Sequence, residues 1–323
     1  MQYVRLGRTG LKVSRLCLGT MNFGPYATEA ESHAMMDAAR ERGLNFFDTA
    51  NVYGWKTGEG VTEQIVGSWF AKGGRRREDT VVATKVYGKM GAGPNDVRLS
   101  ARHIREACDA SLRRLRTEYI DLYQMHHVDR DTPWEEIWQA MELLVAQGKV
   151  LYVGSSNFSG WQIVQGQEAA ARRHFLGLVS EQSIYNLTMR TIELEVLPAC
   201  QAYGVGVIPW SPLASGALAG VLGDRGKGRR SRDLVSDKIA KHRPQIEAWE
   251  AFCRERAESP ADVAVAWTLA NPAVTAPIVG PRTMEQLTGA FGALDVRLDA
   301  SALKRLDEIW PGPGGPAPEA YAW

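Results

Sequence analysis

Four side chains that could hold or move a proton lie at or just beyond the ends of short apolar runs. Asp48 ends the run in NFFDTANVYG, and Tyr53 follows five residues later. Lys85 ends TVVATK, and His126 ends IDLYQMH. A phenol has a pKa of about 10, and a neighbouring ammonium lowers it. With Asp48 to keep Lys85 charged, Tyr53 could serve as a general acid while His126 places a substrate oxygen.

Such a set suits the protonation of a carbonyl oxygen while a hydride reaches its carbon. The hydride has to come from a cofactor, because no side chain carries one. Single residues leave other interpretations open: an Asp–Lys pair is often a structural ion pair, and Lys85 could form a Schiff base in a lyase. The acid–base interpretation depends on a fold that brings all four side chains together.

The alternation of strand and helix patterns indicates that fold. Eight apolar runs predict strands, and segments of helical period lie between them. Two of these helical segments follow Ser100 and Thr132, which we expect to cap them. Strict alternation indicates parallel strands joined by crossover helices, and eight units indicate a closed (β/α)8 TIM barrel. The predicted strands are residues 15–19, 44–48, 80–85, 120–126, 150–156, 176–182, 205–210 and 273–280.

Three segments fall outside the eight units. We expect an N-terminal hairpin that turns at Thr9 and Gly10, a long loop after strand seven over residues 211–237, and an extra C-terminal helix in DASALKRLDEIW. Residues 1–323 are predicted to form a single domain. An open Rossmann sheet is the rival fold, but it requires a GxGxxG motif after an early strand, and the sequence has none. Barrel enzymes place their chemistry at the C-terminal ends of the strands, where the four residues fall.

Composition and charge exclude several classes of partner. The formal net charge is +1, which creates no field that would attract nucleic acid or a membrane surface. The four cysteines form no CxxC pair, so we expect neither a disulfide framework nor a metal site. The N-terminus lacks the apolar core of a signal peptide, and no apolar stretch has the length of a membrane span. We therefore expect a cytoplasmic protein with a small-molecule partner, and we make no prediction of its oligomeric state.

Motifs along nearly the whole chain resemble those of the aldo-keto reductase superfamily, in its bacterial and potassium-channel-β-like branch. The resemblance implies an NADPH-dependent reductase of aldehydes or ketones on a (β/α)8 barrel. It also implies that Tyr53 is the acid, that Asp48 and Lys85 tune it, and that His126 orients the substrate. The motifs that carry the resemblance are, in chain order, FFDTANVYG, ATKV, DLYQMHHVD, GKVLYVGSSNFS, EQSIYNL, IPWSPLASGALAG and IVGPRTMEQL.

The same resemblance implies where NADPH would bind. Trp210 would stack on the nicotinamide ring, and Arg282 would lie beside the 2′-phosphate and favour NADP over NAD. The residues that would hold the nicotinamide carboxamide are Ser156, Asn157 and Gln182. Gly289 and Ala290 stand where many relatives carry Glu-Asn against the adenine, so that contact is missing here. The expected cofactor contacts are Gly19, Thr20, Met21, Asp48, Ser156, Asn157, Gln182, Trp210, Ser211, Pro212, Leu213, Ser215, Gly216, Lys227, Gly280, Arg282 and Gln286.

Two functions compete with the general carbonyl reductase. The tail PGPGGPAPEAYAW is similar to that of actinobacterial members of which some reduce nucleotide-linked deoxysugars. A regulatory β-type subunit would keep the cofactor site, turn over slowly and need a membrane partner. We also expect the loop 211–237, with its glycines and with Lys227, Arg229 and Arg230, to be mobile without cofactor and to close over the pyrophosphate when NADPH binds.

Overall fold

The hairpin and the barrel predicted from the sequence are both present. The computed structural model describes residues 1–55, 57–222 and 239–317. Strand β1 (Tyr3–Arg5) pairs antiparallel with β2 (Lys12–Ser14), so the N-terminal hairpin is confirmed. The eight strands that follow lie in one parallel sheet: β3 (Cys17–Gly19), β4 (Phe46–Asp48), β5 (Val81–Val86), β6 (Ile120–Met125), β7 (Val150–Ser156), β8 (Leu178–Gln182), β9 (Gly206–Val207) and β10 (Ile278–Val279).

The two ends of this sheet meet. Its strand order is β10-β3-β4-β5-β6-β7-β8-β9, so each strand lies beside the next one in the chain. The Val207 N–H donates to the Ala273 carbonyl at 3.3 Å, and the Thr275 N–H donates to the Val207 carbonyl at 2.8 Å. These bonds join β9 to the segment that leads into β10. The prediction of a (β/α)8 fold is confirmed.

The last two strands are shorter than their apolar runs predicted. Regular pairing of β9 ends at Val207, although the predicted strand extends to residue 210. Pro209 lies in the remainder, and proline has no N–H to donate to a ladder. Its carbonyl still accepts from the Ile278 N–H at 2.8 Å, so the chain keeps its place in the barrel wall.

Helices cover the outside of the barrel, and one predicted cap is wrong. Ser100 caps its helix by accepting from the His103 N–H, as expected. Thr132 does not: Pro133 takes the N-cap position, and the Thr132 hydroxyl donates to Asp129 at 2.8 Å. The predicted C-terminal helix is present as α10. The helices are α1 (Glu29–Glu41), α2 (Val61–Phe70), α3 (Ala101–Leu115), α4 (Trp134–Ala146), α5 (Gly160–Arg172), α6 (Val196–Tyr203), α7 (Arg243–Glu255), α8 (Pro260–Ala270), α9 (Met284–Ala290) and α10 (Ala300–Ile309).

The barrel has a separate inner core that the hairpin completes. Leu6 and Val13 of the hairpin region are fully buried and pack in the same cluster as Cys17, Phe46 and Leu122 from the barrel strands. A second, larger cluster fills the space between the strands and the helices. Because the hairpin closes the end where the strands begin, a ligand can reach the barrel interior only at the end where the strands finish.

Part of the predicted long loop lies outside the described residues. Positions 223–238 fall there, and so do Lys227, Arg229, Arg230 and the predicted closure of the loop over a cofactor. Of the chain after Pro311, residues 318–323 also lie outside. Within the ranges that the structure describes, no helix has the length and apolar character needed to cross a membrane.

Helix α2, which follows the Tyr53 loop, packs closely on α3 at Gly67. Gly289, in α9, is a helical glycine without such a contact. A Cβ on Gly67 would lie 2.1 Å from the Arg114 carbonyl oxygen, whereas a Cβ on Gly289 would meet nothing within 4 Å. Alanine favours a helix over glycine by about 0.5–1 kcal/mol, and overpacking costs about 1–3 kcal/mol. We expect Gly67→Ala to lower the free energy of unfolding and Gly289→Ala to raise it slightly in urea titrations. Equal stabilities of the two variants would contradict this packing.

Candidate active site

The Lys85 ammonium is the centre of the site. Lys85 belongs to β5, and its side chain is fully buried. Its Nζ donates to Asp48 Oδ2 at 2.7 Å and to Tyr53 Oη at 3.1 Å. A third bond goes to the Thr49 carbonyl at 2.8 Å. Since an ammonium has three donor hydrogens, all of them are used, and the acid, amine and phenol predicted from the sequence form one cluster.

These bonds hold Lys85 in its charged form. Burial lowers the pKa of Lys85, but the Asp48 carboxylate and Tyr53 raise it by more, so the pKa lies above its ordinary value. A Schiff-base lysine needs the opposite condition, a lowered pKa that supplies a neutral amine. The geometry at Lys85 therefore argues against the lyase interpretation.

The pKa of Tyr53 shifts in the direction opposite to the sequence prediction. Burial raises it, and this exceeds the lowering by Lys85, so the net pKa lies above its ordinary value of 10.0. The phenol is therefore protonated at neutral pH. Because Lys85 donates to Tyr53 Oη, the phenol's own hydrogen can point to a ligand.

A tight turn fixes the position of Tyr53. Its N–H donates to the Ala50 carbonyl at 3.1 Å, and its carbonyl accepts from the Gly60 N–H at 3.1 Å. The next residue, Gly54, has φ +124°, and a Cβ there would lie 2.2 Å from the Gly58 carbonyl oxygen. Only glycine fits this position, so the Tyr53-Gly54 pair in the sequence has a steric cause.

His126 stands at the mouth of the barrel beside Tyr53. It follows β6 directly, and its N–H donates to the Val86 carbonyl at 2.9 Å. Its ring centroid lies 5.9 Å from that of Tyr53 in an edge-on arrangement, and His127 stacks on it at 5.1 Å. Burial lowers the pKa of His126 to about 2, and the charge of Lys85 and the neighbouring His127 add to this effect. His126 is therefore a neutral imidazole at physiological pH.

Gln124 is a site residue that the sequence reasoning missed. Its side chain is fully buried, and its Nε2 donates to Asp48 Oδ1 at 3.1 Å. Gln182, which was expected to hold a nicotinamide carboxamide, donates to the same oxygen at 2.8 Å. The available signal was a lone amide in the apolar run IDLYQM, two residues before His126 and so on the same face of the strand.

Ser156, Asn157 and Trp210 form a hydrogen-bonded group next to His126. Asn157 Nδ2 donates to Ser156 Oγ at 3.0 Å and to the His126 carbonyl at 3.1 Å. Trp210 Nε1 donates to Asn157 Oδ1 at 3.2 Å. The three residues expected to meet the nicotinamide end are therefore assembled on the same rim as the acid.

A buried carboxyl supports this rim from behind. Glu181 is fully buried, and it accepts from the Phe158 N–H at 3.1 Å, from Ser183 Oγ at 2.7 Å and from Ser155 Oγ. Burial raises the pKa of Glu181 to about 7, against the lowering by these donors. An acid within a buried strand run was the sequence signal, but the sequence does not show that it anchors residues 155–158.

The backbone after Trp210 makes a tight turn through left-handed residues. Ser211, Ser215 and Gly216 have φ of +58°, +63° and +104°. The Ser215 N–H donates to Ser211 Oγ at 3.1 Å, and Asn186 Nδ2 donates to the Ser211 carbonyl at 2.9 Å. The side chains of Ser211 and Asn186 therefore hold this turn in place. Pro212 and Leu213 lie in the same turn, and the Leu213 carbonyl accepts from the Gly216 N–H at 2.8 Å.

The residues expected to contact the adenosine follow β10, which pairs with β3. The guanidinium of Arg282 lies over the Tyr26 ring, 4.0 Å from its centroid. Gln286 Oε1 accepts from the Arg282 N–H at 2.8 Å, so this side chain supports the loop. Gly289 and Ala290 lie at the end of α9 and offer no side-chain donor to an adenine. Lys227 lies outside the described residues.

The strand β3 side completes the mouth. β3 ends at Gly19, and Thr20 and Met21 come directly after it. Thr20 Oγ1 donates to the Asp48 carbonyl at 2.9 Å. Asn22 Nδ2 donates to the Gly280 carbonyl at 2.8 Å. Asn22 Oδ1 is buried and has no hydrogen-bond partner within the described part of the chain. This acceptor suits a hydroxyl or amide hydrogen of a ligand, and the Arg282 guanidinium suits a phosphate, so the residues of the mouth fit a dinucleotide.

Comparison with known proteins identifies the family of this chain. The model of the Aldo/keto reductase family matches residues 15–311. The chain belongs to the aldo/keto reductase family. "Uncharacterized oxidoreductase YrpG" of Bacillus subtilis (strain 168) is 54% identical over 327 residues, which cover 100% of both chains.

Two further relatives of this aldo/keto reductase have different names. A "Probable voltage-gated potassium channel subunit beta" of Oryza sativa subsp. japonica is 37% identical over 310 residues, with 92% of each chain covered. "Versiconal hemiacetal acetate reductase" of Aspergillus parasiticus is 36% identical over 342 residues, which cover 95% of this chain and 96% of the relative. The family and the oxidoreductase relatives support a carbonyl-reducing oxidoreductase.

The pKa shifts predict the pH dependence of this aldo/keto reductase. His126, with a pKa of about 2, is already neutral, and Tyr53, with its pKa above 10.0, is still protonated. We expect the single-turnover rate of carbonyl reduction to be constant between about pH 6 and about pH 9 and to fall at higher pH, as the phenol loses its proton. The assignment of His126 as neutral would be contradicted by a rate that changes between about pH 6 and about pH 9 in wild type and stays constant in His126→Asn.

Proposed function

We propose that this protein is an NADPH-dependent reductase that converts an aldehyde or a ketone to the alcohol. The observation that carries the proposal is the bond from Lys85 Nζ to Tyr53 Oη. It puts a permanent positive charge 3.1 Å from the phenol oxygen, and it leaves the phenol hydrogen to be donated. This arrangement supports a general acid that becomes an anion without leaving its counter-charge.

In the proposed reaction, the bound reduced nicotinamide supplies a hydride to the carbonyl carbon. Tyr53 donates its proton to the carbonyl oxygen, which becomes the hydroxyl of the product. Lys85 stabilises the phenolate that remains, and Asp48 keeps Lys85 in place at 2.7 Å. His126, as a neutral imidazole, donates a hydrogen bond that positions the substrate oxygen. Solvent then returns a proton to Tyr53, which is partly exposed.

A second function has one observation in its favour. The rice relative, 37% identical, is named as a probable potassium channel β subunit. A subunit of that kind would bind the cofactor, reduce carbonyls slowly and act through a membrane partner. The complete Asp48, Tyr53 and Lys85 cluster supports the reductase instead, since binding alone needs no general acid.

Substrate profiling tests the two functions together. NADPH oxidation, followed by its ultraviolet absorbance, would be measured with small aldehydes, ketones and nucleotide-linked deoxysugars. Carbonyl-dependent oxidation supports the reductase, and the best class identifies its substrate. Tight NADPH binding without turnover on any carbonyl would contradict the reductase and support the regulatory subunit.

Replacing the acid should separate chemistry from binding. We expect Tyr53→Phe to lower kcat by about 10²- to 10⁴-fold, because a positioned general acid contributes about that much. The dissociation constant of NADPH should change little. Tyr203→Phe is the matched control, since its hydroxyl bonds Glu168 at the surface. If Tyr53→Phe kept the wild-type single-turnover rate, Tyr53 would not be the acid.

Arg282 should govern the choice between NADPH and NADH. A guanidinium makes charge-assisted, often bidentate bonds to a phosphate, and only NADPH has the 2′-phosphate. We expect Arg282→Ala to raise the dissociation constant of NADPH at least about tenfold, the equivalent of a bond of about 1.4 kcal/mol, and to leave that of NADH nearly unchanged. Arg305→Ala, which removes an exposed arginine paired with Glu308, is the control. Equal weakening of both cofactors would refute the assignment.

A further inference from the structure

Three polar side chains share one set of hydrogen bonds below the Lys85 cluster. Asp48, Gln124 and Gln182 come from β4, β6 and β8, and each is 3% exposed or less. Gln182 Nε2 donates to Asp48 Oδ1 at 2.8 Å and to Gln124 Oε1 at 3.2 Å. Gln124 Nε2 donates to Asp48 Oδ1 at 3.1 Å. Each pair among the three is therefore bonded directly.

This triangle fixes which end of the Gln182 amide faces the mouth. The Asp48 carboxylate and Gln124 Oε1 act only as acceptors, so both hydrogens of Gln182 Nε2 are used inside the barrel. The atom that Gln182 can offer to a ligand is consequently its Oε1 acceptor. Gln124 supplies one of the two acceptors that impose this orientation.

The triangle also fixes the Asp48 carboxylate. Its Oδ2 accepts from Lys85, and its Oδ1 accepts from the two amides. Without Gln124, the carboxylate would have one amide donor fewer on Oδ1 and could rotate about its Cβ–Cγ bond. Such a rotation would carry Lys85 Nζ away from Tyr53 Oη, because one oxygen atom of Asp48 holds the ammonium.

The residue beside Gln124 on the neighbouring strand is a glycine, which leaves space for the Gln124 side chain. On β7, a Cβ at Gly154 would lie 3.2 Å from Gln124 Cγ and 2.4 Å from Ser180 Oγ. Gly154 pairs with Gln124 in the register of β6 and β7. A larger residue at position 154 would press on both Ser180 and the Gln124 side chain.

We propose that Gln124 is a positioning residue of the reaction: it holds the Asp48 carboxylate and the Gln182 amide in one fixed arrangement, so that the proton donor and the cofactor contact stay aligned. The inference rests on the proposed function. Gln124 acts through Asp48 and Gln182, without a contact of its own to Tyr53. A merely structural glutamine would contribute to stability and leave the chemical step unchanged.

A matched buried glutamine separates these two roles. Gln167 on α5 is 4% exposed, and its amide bonds the Leu178 N–H at 2.7 Å and the Leu178 carbonyl at 3.0 Å, outside the site. Gln124→Met and Gln167→Met both remove a buried amide and keep an unbranched side chain of similar length. We expect Gln124→Met to lower kcat about tenfold to a hundredfold, since small misplacements of reacting groups have effects of that size. The kcat of Gln167→Met should stay within about twofold of the wild-type kcat.

A carboxyl at position 124 gives a readout that depends on pH. In Gln124→Glu, a protonated carboxyl can donate to Asp48 Oδ1 and accept from Gln182, as the amide does. An ionised carboxyl loses the donor and puts a second negative charge beside Asp48. The charged and titratable groups around it are Asp48 on β4, Lys85 on β5, His126 after β6, Tyr53 and the buried Cys17 thiol of β3.

The sign of the effect follows from these groups. The neighbouring Asp48 raises the pKa of the new carboxyl above its unfolded value, so the folded protein binds more protons and loses stability as the pH rises. We expect the kcat of Gln124→Glu to be a substantial part of the wild-type kcat at about pH 5.5 and to fall as the pH rises to about 8. In the free protein, its Tm should fall over the same interval by more than that of Gln167→Glu. The wild-type kcat should have no such slope. The wild-type Tm is the baseline for both variants, because Glu181, with a pKa of about 7, already makes stability fall as the pH rises.

The outcomes distinguish the inference from the function on which it rests. If wild type reduces no carbonyl with NADPH, the proposed function fails. If wild type is active and Gln124→Met keeps a kcat within twofold of Gln167→Met, the positioning role is overturned. A pH-dependent kcat in Gln124→Glu together with a low kcat in Gln124→Met supports it. A pH-independent kcat in Gln124→Glu would also overturn it, whatever the stability of the variant.

Discussion

A buried ammonium is the constraint on which this site depends. Moving a charge from water into a protein interior costs several kcal/mol, and Lys85 has no exposed surface to reduce that cost. The Asp48 carboxylate at 2.7 Å offsets it, and removing one partner of such a pair costs about 3–5 kcal/mol. The pair also sets a structural requirement. Asp48 ends β4 and lies opposite Ala83, so Lys85 extends beyond the end of its neighbour and can reach both Asp48 and Tyr53.

Lys85 bonds only one oxygen of Asp48, so the other oxygen needs hydrogen-bond donors from other strands. A buried carboxylate has about four acceptor positions, and unsatisfied ones are costly. Gln124 and Gln182 fill those of Oδ1, so one charge pair fixes side chains on β4, β5, β6 and β8. The hairpin closes the other end of the barrel, which keeps water away from this network. Stability and chemistry therefore make the same demand on these residues.

The ends of the strands that carry Asp48, Lys85 and His126 were predictable from the sequence, and the effects of burial on the side chains were not. The runs that end in Asp48, Lys85 and His126 place those residues within one position of the observed strand ends, because an abrupt change from apolar to polar marks where a barrel strand leaves the core. Roles that depend on competition could not be predicted in this way. The Thr132 hydroxyl donates to Asp129 instead of capping the helix. Burial raises the pKa of Tyr53 by more than Lys85 lowers it. Both outcomes depend on distances that a sequence does not contain.

The environment pushes the titratable groups into protonation states that suit one task. Lys85 is held as a cation and its partner Asp48 is its counter-charge, so the pair adds no net charge to the mouth. Burial keeps His126 and Tyr53 neutral, and both can donate a hydrogen bond. In the proposed reaction, a negative charge develops on the substrate oxygen and passes to Tyr53. It develops beside a cation that is already in place, so the site favours the transition state over the neutral carbonyl that enters it.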